Sequence, residues 1–203
     1  MFTCILFDID GTLLDTQKAS SLSAQKTLED MTGNAPPLAE LDALFGVANH
    51  LMAQKYNVDP VQYTEIVDRH YEIVSAKYNR VYPFVVETLE ELTQKALTLG
   101  IITAKSRWEY QHDFGRFELE KYFRMAVTAS DADPKPSPAP VEKFIQATGV
   151  DRDEILFLGD ASADIRCARA AGISFAFANW SGNKVITESD YILDDIRDLL
   201  NLL

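Results

Sequence analysis

Two patterns of apolar and polar positions alternate along most of this chain. Short continuous apolar runs occupy residues 3–9 (TCILFDI), 101–103, 125–129, 155–158 and 173–178, as expected of strands covered on both faces. Between them, apolar residues recur at helical spacing. Val86, Leu89, Leu92 and Ala96 mark one helix ended by Gly100; Val141, Phe144, Ile145 and Thr148 mark another ended by Gly149; Ile165, Ala168 and Ala171 mark a third ended by Gly172. Strand and helix in alternation predict an α/β fold, a Rossmann-like parallel sheet with helices on both faces.

Residues 16–79 break this rhythm, because no strand-like run occurs in them. Leu22, Leu28 and Met31 lie on one helix closed by Gly33, Leu38, Leu41, Leu44 and Phe45 on a second, and Asn49 is the expected cap of a short third. Asp59 and Pro60 read as N-cap and first residue of a long helix whose seam is Tyr63, Ile66, Val67, His70, Val74 and Tyr78. The chain is therefore expected to form two domains. Residues 1–15 and 80–203 make the α/β core, and residues 16–79 make a small α-helical domain inserted after the first strand.

Composition narrows the classes of function. With 203 residues and 47% hydrophobic content the chain can build a real core. No apolar run approaches the roughly 20 residues that span a bilayer, and the apolar start lacks a basic flank, so a cytoplasmic protein is expected. A net charge of -12 disfavours nucleic acid and anionic membranes as partners, and any phosphate must meet local positive charge. Cys4 and Cys167 stand in apolar surroundings without a second thiol or histidine in zinc-like spacing, and read as buried spacers.

In open α/β sheets ligands bind beyond the carboxyl ends of the strands, so the polar residues that follow each apolar run are the candidates. These are Asp8 and Asp10 after the first run, Thr103, Ala104, Lys105 and Ser106 after the second, Asp131, Asp133 and Lys135 after the third, and Gly159, Asp160 and Asp164 after the fourth. Residues i and i+2 of an extended segment share a side, so Asp8 and Asp10 face one site while Ile9 turns inward. Carboxylates gathered this way repel one another unless a cation intervenes, and oxygen-only ligation suits Mg2+.

FDIDGTLLDT, the Thr103 hydroxyl at the end of LGIITAKS, Lys135 in DPKPSP, and LGDASAD at 158–164 resemble, in order, motifs one to four of the haloacid dehalogenase-like superfamily. The helical insertion is similar in position to the cap of its phosphoglycolate phosphatase-like branch. The resemblance implies a Mg2+-dependent phosphatase of a small phosphorylated metabolite, with monomer or homodimer left open by the sequence. Asp8 is then the nucleophile and Asp10 the general acid and base. Asp8, the backbone carbonyl of Asp10, and Asp160 hold the metal, with Asp164 acting through water or by orienting its neighbours. Thr103, Ala104 and Lys135 hold the phosphoryl group, and Gly11 and Thr12 turn the chain and offer it backbone N–H groups. The implied cap closes over the mouth, which makes Asn49, His50 and Lys55 candidate substrate contacts, while His70 on its apolar seam is expected to pack.

Two residues depart from the family pattern: Ala104, where asparagine is common, and Phe84 in VYPFV, where glycine is frequent. A phosphomutase resembling β-phosphoglucomutase is the nearest rival, although such enzymes favour an acidic residue where this chain has Gly159. A non-catalytic phosphate-binding relative is the rival from another class, and it has no need of Asp10.

Overall fold

The computed structural model describes residues 1–182 and 188–203, which divide into two compact units: Met1–Leu14 with Val81–Leu203, and Asp15–Arg80. In the first unit, strands β1 (Cys4–Phe7), β4 (Thr98–Ile102), β5 (Met125–Val127), β6 (Ile155–Gly159), β7 (Ser174–Ala178) and β8 (Tyr191–Leu193) form a six-stranded parallel sheet in the order β5-β4-β1-β6-β7-β8. The two-residue strands β2 (Leu14–Asp15) and β3 (Arg80–Val81) lie where the chain passes between units. No helix among the described residues is long and apolar enough to cross a membrane.

The pleat of β1 sorts its side chains. Ile5 and Phe7 face a cluster with Val85, Leu89 and Leu92 of α5 (Val85–Gln94) and with Tyr110 and Phe114 of α6 (Arg107–Phe117). Cys4 and Leu6 face the opposite cluster with Val141 and Phe144 of α7 (Ala139–Thr148) and with Ile165, Cys167 and Ala168 of α8 (Ser162–Ala171). Burial of each such large apolar side chain contributes about 1.5–3 kcal/mol, enough to hold the strand between two helical layers. Both thiols are inert parts of this core, pushed up to about 12 by burial.

Strand β1 is also the topological pivot. The chain runs from β1 to β4 and β5 on one side, then returns to β6 on the other, so the ends of β4 and β6 flank the end of β1. A crevice outside the carboxyl ends forms at such a switch.

The second unit has its own core of Ala24 and Leu28 from α1 (Gln17–Thr32), Leu41 from α2 (Leu38–Asp42), Met52 and Ala53 from α3 (Asn49–Lys55), and Tyr63 and Val67 from α4 (Pro60–Tyr78). Asp59 caps α4 by accepting from the Gln62 N–H at 2.9 Å. The deeply buried row of α4 is Tyr63, Val67, Tyr71 and Ser75, with Ile66, His70, Val74 and Tyr78 only half-buried beside it. His70 does not simply pack: its Nε2 lies 2.9 Å from Asp30 Oδ2 on α1. Asn49 is inside α3 and caps nothing, because the N-cap position is Ala48.

Phe84 has φ 63°, in the left-handed region, at the N-cap of α5. Its half-exposed ring stacks under the Arg197 guanidinium, whose carbon is 3.6 Å from the ring centre. The left-handed conformation costs a non-glycine residue about 1 kcal/mol or more. Phe84→Gly and Phe84→Ala both lose the stacking, and only glycine relieves the backbone. The glycine variant is therefore expected to be the more stable of the two by about 1 kcal/mol in denaturant unfolding; equal stabilities would contradict the strain.

Candidate active site

The loop after β1 is built by one carbonyl. Ile9 O accepts from the N–H groups of Thr12, Leu13 and Leu14 at 3.2, 2.9 and 2.9 Å, while Gly11 N–H donates to Leu14 O at 2.9 Å. The resulting turn needs φ +80° at Gly11, and the side of Gly11 is closed as well, since an added Cβ there would fall 1.9 Å from Asp160 Oδ2. Ile9 is fully buried, as expected of the spacer between the two aspartates. The N–H groups of Gly11 and Thr12, expected to face the phosphate, here donate within the loop to Leu14 O and Ile9 O.

Asp8 leaves the end of β1 with 4% exposure, anchored by its N–H to Leu158 O at 2.9 Å. Lys135, itself buried, brings Nζ within 2.7 Å of Asp8 Oδ1 and 2.6 Å of Asp164 Oδ1. Asp164 sits in the first turn of α8, where its Oδ2 accepts from the Ala161 N–H at 2.9 Å. Gly159 makes room for it, because a Cβ at that position would lie 2.5 Å from Asp164 Oδ2. Asp160 follows Gly159 and is also buried.

Carboxylate oxygens of Asp8, Asp160 and Asp164 all lie within 4.8 Å of one another. Burial, and then the neighbouring Asp164 and Asp10 charges, push Asp8 up to about 7 although Lys135 opposes them. Asp160 is held well above the usual carboxylate range, first by burial and then by Asp164 and Asp8. Lys135 stays firmly cationic, because its two carboxylates outweigh the cost of its burial. This is an all-oxygen donor set carrying more negative charge than one lysine offsets, which fits a hard divalent cation.

The Asp10 side chain is not part of that group. It turns instead to Lys105, whose Nζ is 3.0 Å from Asp10 Oδ1 and 2.9 Å from Asp113 Oδ2 on α6. Thr103, just past the end of β4, is nearly fully buried, and its Oγ1 accepts from the Lys105 N–H at 3.1 Å, so the hydroxyl proton can be given elsewhere. Ala104 stands between them without a polar side chain.

The ends of β1, β4 and β6 carry Asp8, Asp10, Thr103, Lys105, Asp160 and Asp164, and the segment between β5 and α7 brings Lys135 to Asp8 and Asp164. Asp131 is engaged elsewhere. Its Oδ2 accepts from Thr128 N–H and Oγ1 and from Arg107, and these bonds outweigh partial burial to hold it at about 2. Among residues that sequence reasoning left without a role, Lys105 and Asp113 are buried beside Asp10, Glu109 is half-buried close by, and Trp180 donates from Nε1 to Thr12 O at 3.0 Å. A signal for the first three was present in the acids at i+4 and i+8 from Lys105. Helix α6 itself went unread because only Tyr110 and Phe114 of its apolar residues are deeply buried, although Ser106 and Glu109 form a capping box at its start.

A family model described as haloacid dehalogenase-like hydrolase matches residues 5–178. A phosphoglycolate phosphatase of Aquifex aeolicus is 30% identical over 203 residues, covering 98% of this chain and 95% of that protein. The pyrophosphatase PpaX of Bacillus cereus is 29% identical over 98% of this chain and 95% of its own. Among solved structures, a haloacid dehalogenase-like family protein from Streptococcus pneumoniae superposes with a TM-score of 0.85 at 20% identity, over 99% of this chain and 98% of that one.

Proposed function

The chain belongs to the haloacid dehalogenase-like hydrolases, and from that premise we propose that it is a Mg2+-dependent phosphatase of a small phosphorylated metabolite, working through an aspartyl-phosphate on Asp8. The observation that carries this reading is the separation of two neighbouring carboxylates. Asp8 faces Lys135 and the Asp160–Asp164 pair, whereas Asp10 is turned away to Lys105. This separation supports a reading in which one bonds phosphorus and the other carries a proton, a division that a halide leaving group does not require.

Asp8, the backbone carbonyl of Asp10, and Asp160 would hold Mg2+, with Asp164 orienting Lys135 and the start of α8. When bound, the cation offsets the negative charge of the cluster and of the substrate phosphate. In the first step an Asp8 oxygen forms a bond to phosphorus as the ester P–O bond breaks, and Asp10 gives its proton to the departing oxygen. In the second, water attacks phosphorus while Asp10 takes its proton, and the Asp8–phosphorus bond breaks. Lys135 and the Thr103 hydroxyl hold phosphoryl oxygens through both steps, and the Ala104 N–H is available to the same group.

Gly159 argues against the mutase reading, because an acidic side chain cannot occupy its place while Asp164 keeps its own. Relatives named for phosphoglycolate and for pyrophosphate define the first substrates to try. Assayed against these two, sugar phosphates and nucleoside monophosphates, the protein is expected to release phosphate with Mg2+, to stop on chelation, and to resume when Mg2+ is restored. Isomer interconversion without phosphate release would favour the mutase, and no turnover of any compound would leave a binding relative.

A further inference from the structure

The most deeply buried charges that this chemistry leaves without a role are those of Lys105 and Asp113. Lys105 is 4% exposed and Asp113 is 0% exposed. Taking an ammonium and a carboxylate out of water is costly, and a pair that served only to join α6 to the core would be complete with those two groups. The ammonium nevertheless reaches a second carboxylate, 3.0 Å away on the loop after β1, and that carboxylate is Asp10.

Every link behind this contact is fixed. Helix α6 is held at its start by Ser106 Oγ, which accepts from Glu109 N–H at 3.1 Å, and by Glu109 Oε2, which accepts from Ser106 N–H at 2.7 Å. Asp113 stands one turn further along the same helix. The backbone of Lys105 is pinned on both sides, its N–H to Thr103 Oγ1 and its C=O to the Ala129 N–H at 2.9 Å. A short side chain such as Asp10 has several staggered rotamers open to it, and a contact of this kind selects one.

We propose that Lys105, oriented by Asp113, is a positioning residue that holds the Asp10 carboxylate in the one orientation from which it serves the leaving oxygen and the attacking water. This rests on the reading of Asp10 as the proton carrier. It predicts a defect confined to the proton-transfer steps, which a purely structural ion pair would not produce.

The test compares two substrates in rapid-mixing experiments with Mg2+. p-Nitrophenolate is a good leaving group and departs without a proton, whereas the alkoxide of an alkyl phosphate must be protonated. In Lys105→Met, p-nitrophenyl phosphate is expected to give one equivalent of p-nitrophenolate at close to the parent rate, followed by a steady state slowed about 100-fold. Single turnover of the alkyl phosphate that the parent hydrolyses fastest should slow by a similar factor. Lys105→Arg should recover at least about tenfold of the loss, since it restores a cation.

Loss of Lys105 leaves Asp113 buried without that cation, so the same comparison is made on Asp113→Asn, which keeps the volume of the side chain. It should show the same pattern, more weakly. Equal slowing of both first turnovers in the folded variants, or no slowing of either, would overturn the positioning role while leaving the phosphatase reading intact. Absence of turnover by the parent would remove both.

Discussion

Asp8→Asn is expected to release no measurable phosphate from any substrate that the parent hydrolyses, a loss of roughly 10⁴-fold or more, the scale on which nucleophile removals act. The amide keeps the shape of the carboxylate and loses its nucleophilic oxygen. Lys135 retains its partner Asp164 at 2.6 Å, so the pocket has no reason to collapse. Quenching the parent in acid during turnover with labelled substrate should leave the label on the protein, and the variant should carry none. Activity within about tenfold of the parent would sink the covalent mechanism.

The same variant carries a second expectation of opposite sign. In the metal-free protein Asp8 is raised from the ordinary 3.8 to about 7. Between those values the folded chain holds a proton that the unfolded chain has released, so the stability contributed by this group falls as pH rises through the window and is lowest above it. Asparagine cannot ionise. In a chelator, Asp8→Asn should therefore melt at a higher temperature than the parent at pH 8, with the difference shrinking toward pH 4. A variant that is inert and also less stable at pH 8 would mean that the lost activity reflects damage to the fold.

Gly11→Ala is expected to cost both stability and activity, through the Asp8, Asp160 and Asp164 carboxylate cluster. The new Cβ would lie 1.9 Å from Asp160 Oδ2 and 2.5 Å from its Cγ, and Asp160 is itself buried, so the carboxylate must shift. Overpacking of this kind costs about 1–3 kcal/mol, and φ +80° adds about 1 kcal/mol for any L side chain. Displacing Asp160 by an ångström would cost about 100-fold in rate. The variant should need more Mg2+ for half-maximal activity than the parent. Unchanged Mg2+ dependence in a folded Gly11→Ala would exclude Asp160 from holding the metal.

Much of this site is legible in one dimension. The candidate residues sit at polar positions that follow apolar runs, and the runs themselves identify strands because a buried parallel strand leaves no room for alternation. That rule gathers Asp8, Asp10, Thr103, Lys135, Asp160 and Asp164 together with others such as Asp131 and Asp133, and the resemblance to the family motifs is what singles these six out. Where the pattern is weak the reading fails. Strand β8 has three residues, and only Leu193 of them is deeply buried, too short a run to register as a period. Helix α6 buries few apolar residues and presents a mainly polar sequence, so its inward acids read as surface.

The sequence by itself determined the strand and helix grammar, the residue types at each strand end, and the pairing of two carboxylates just after β1 with Ile9 buried between them. All of these are set by neighbours along the chain. The tertiary structure alone decided which charge meets which: that Lys135 joins Asp8 to Asp164, that Asp10 leaves the cluster for Lys105, and that the Gly11 and Thr12 N–H groups close a turn. Partners so far apart in sequence are chosen by strand order and by the packing of α6 and α8 on the sheet. No local period encodes that choice, because the ion pairs form only after the hydrophobic layers have brought the strand ends together.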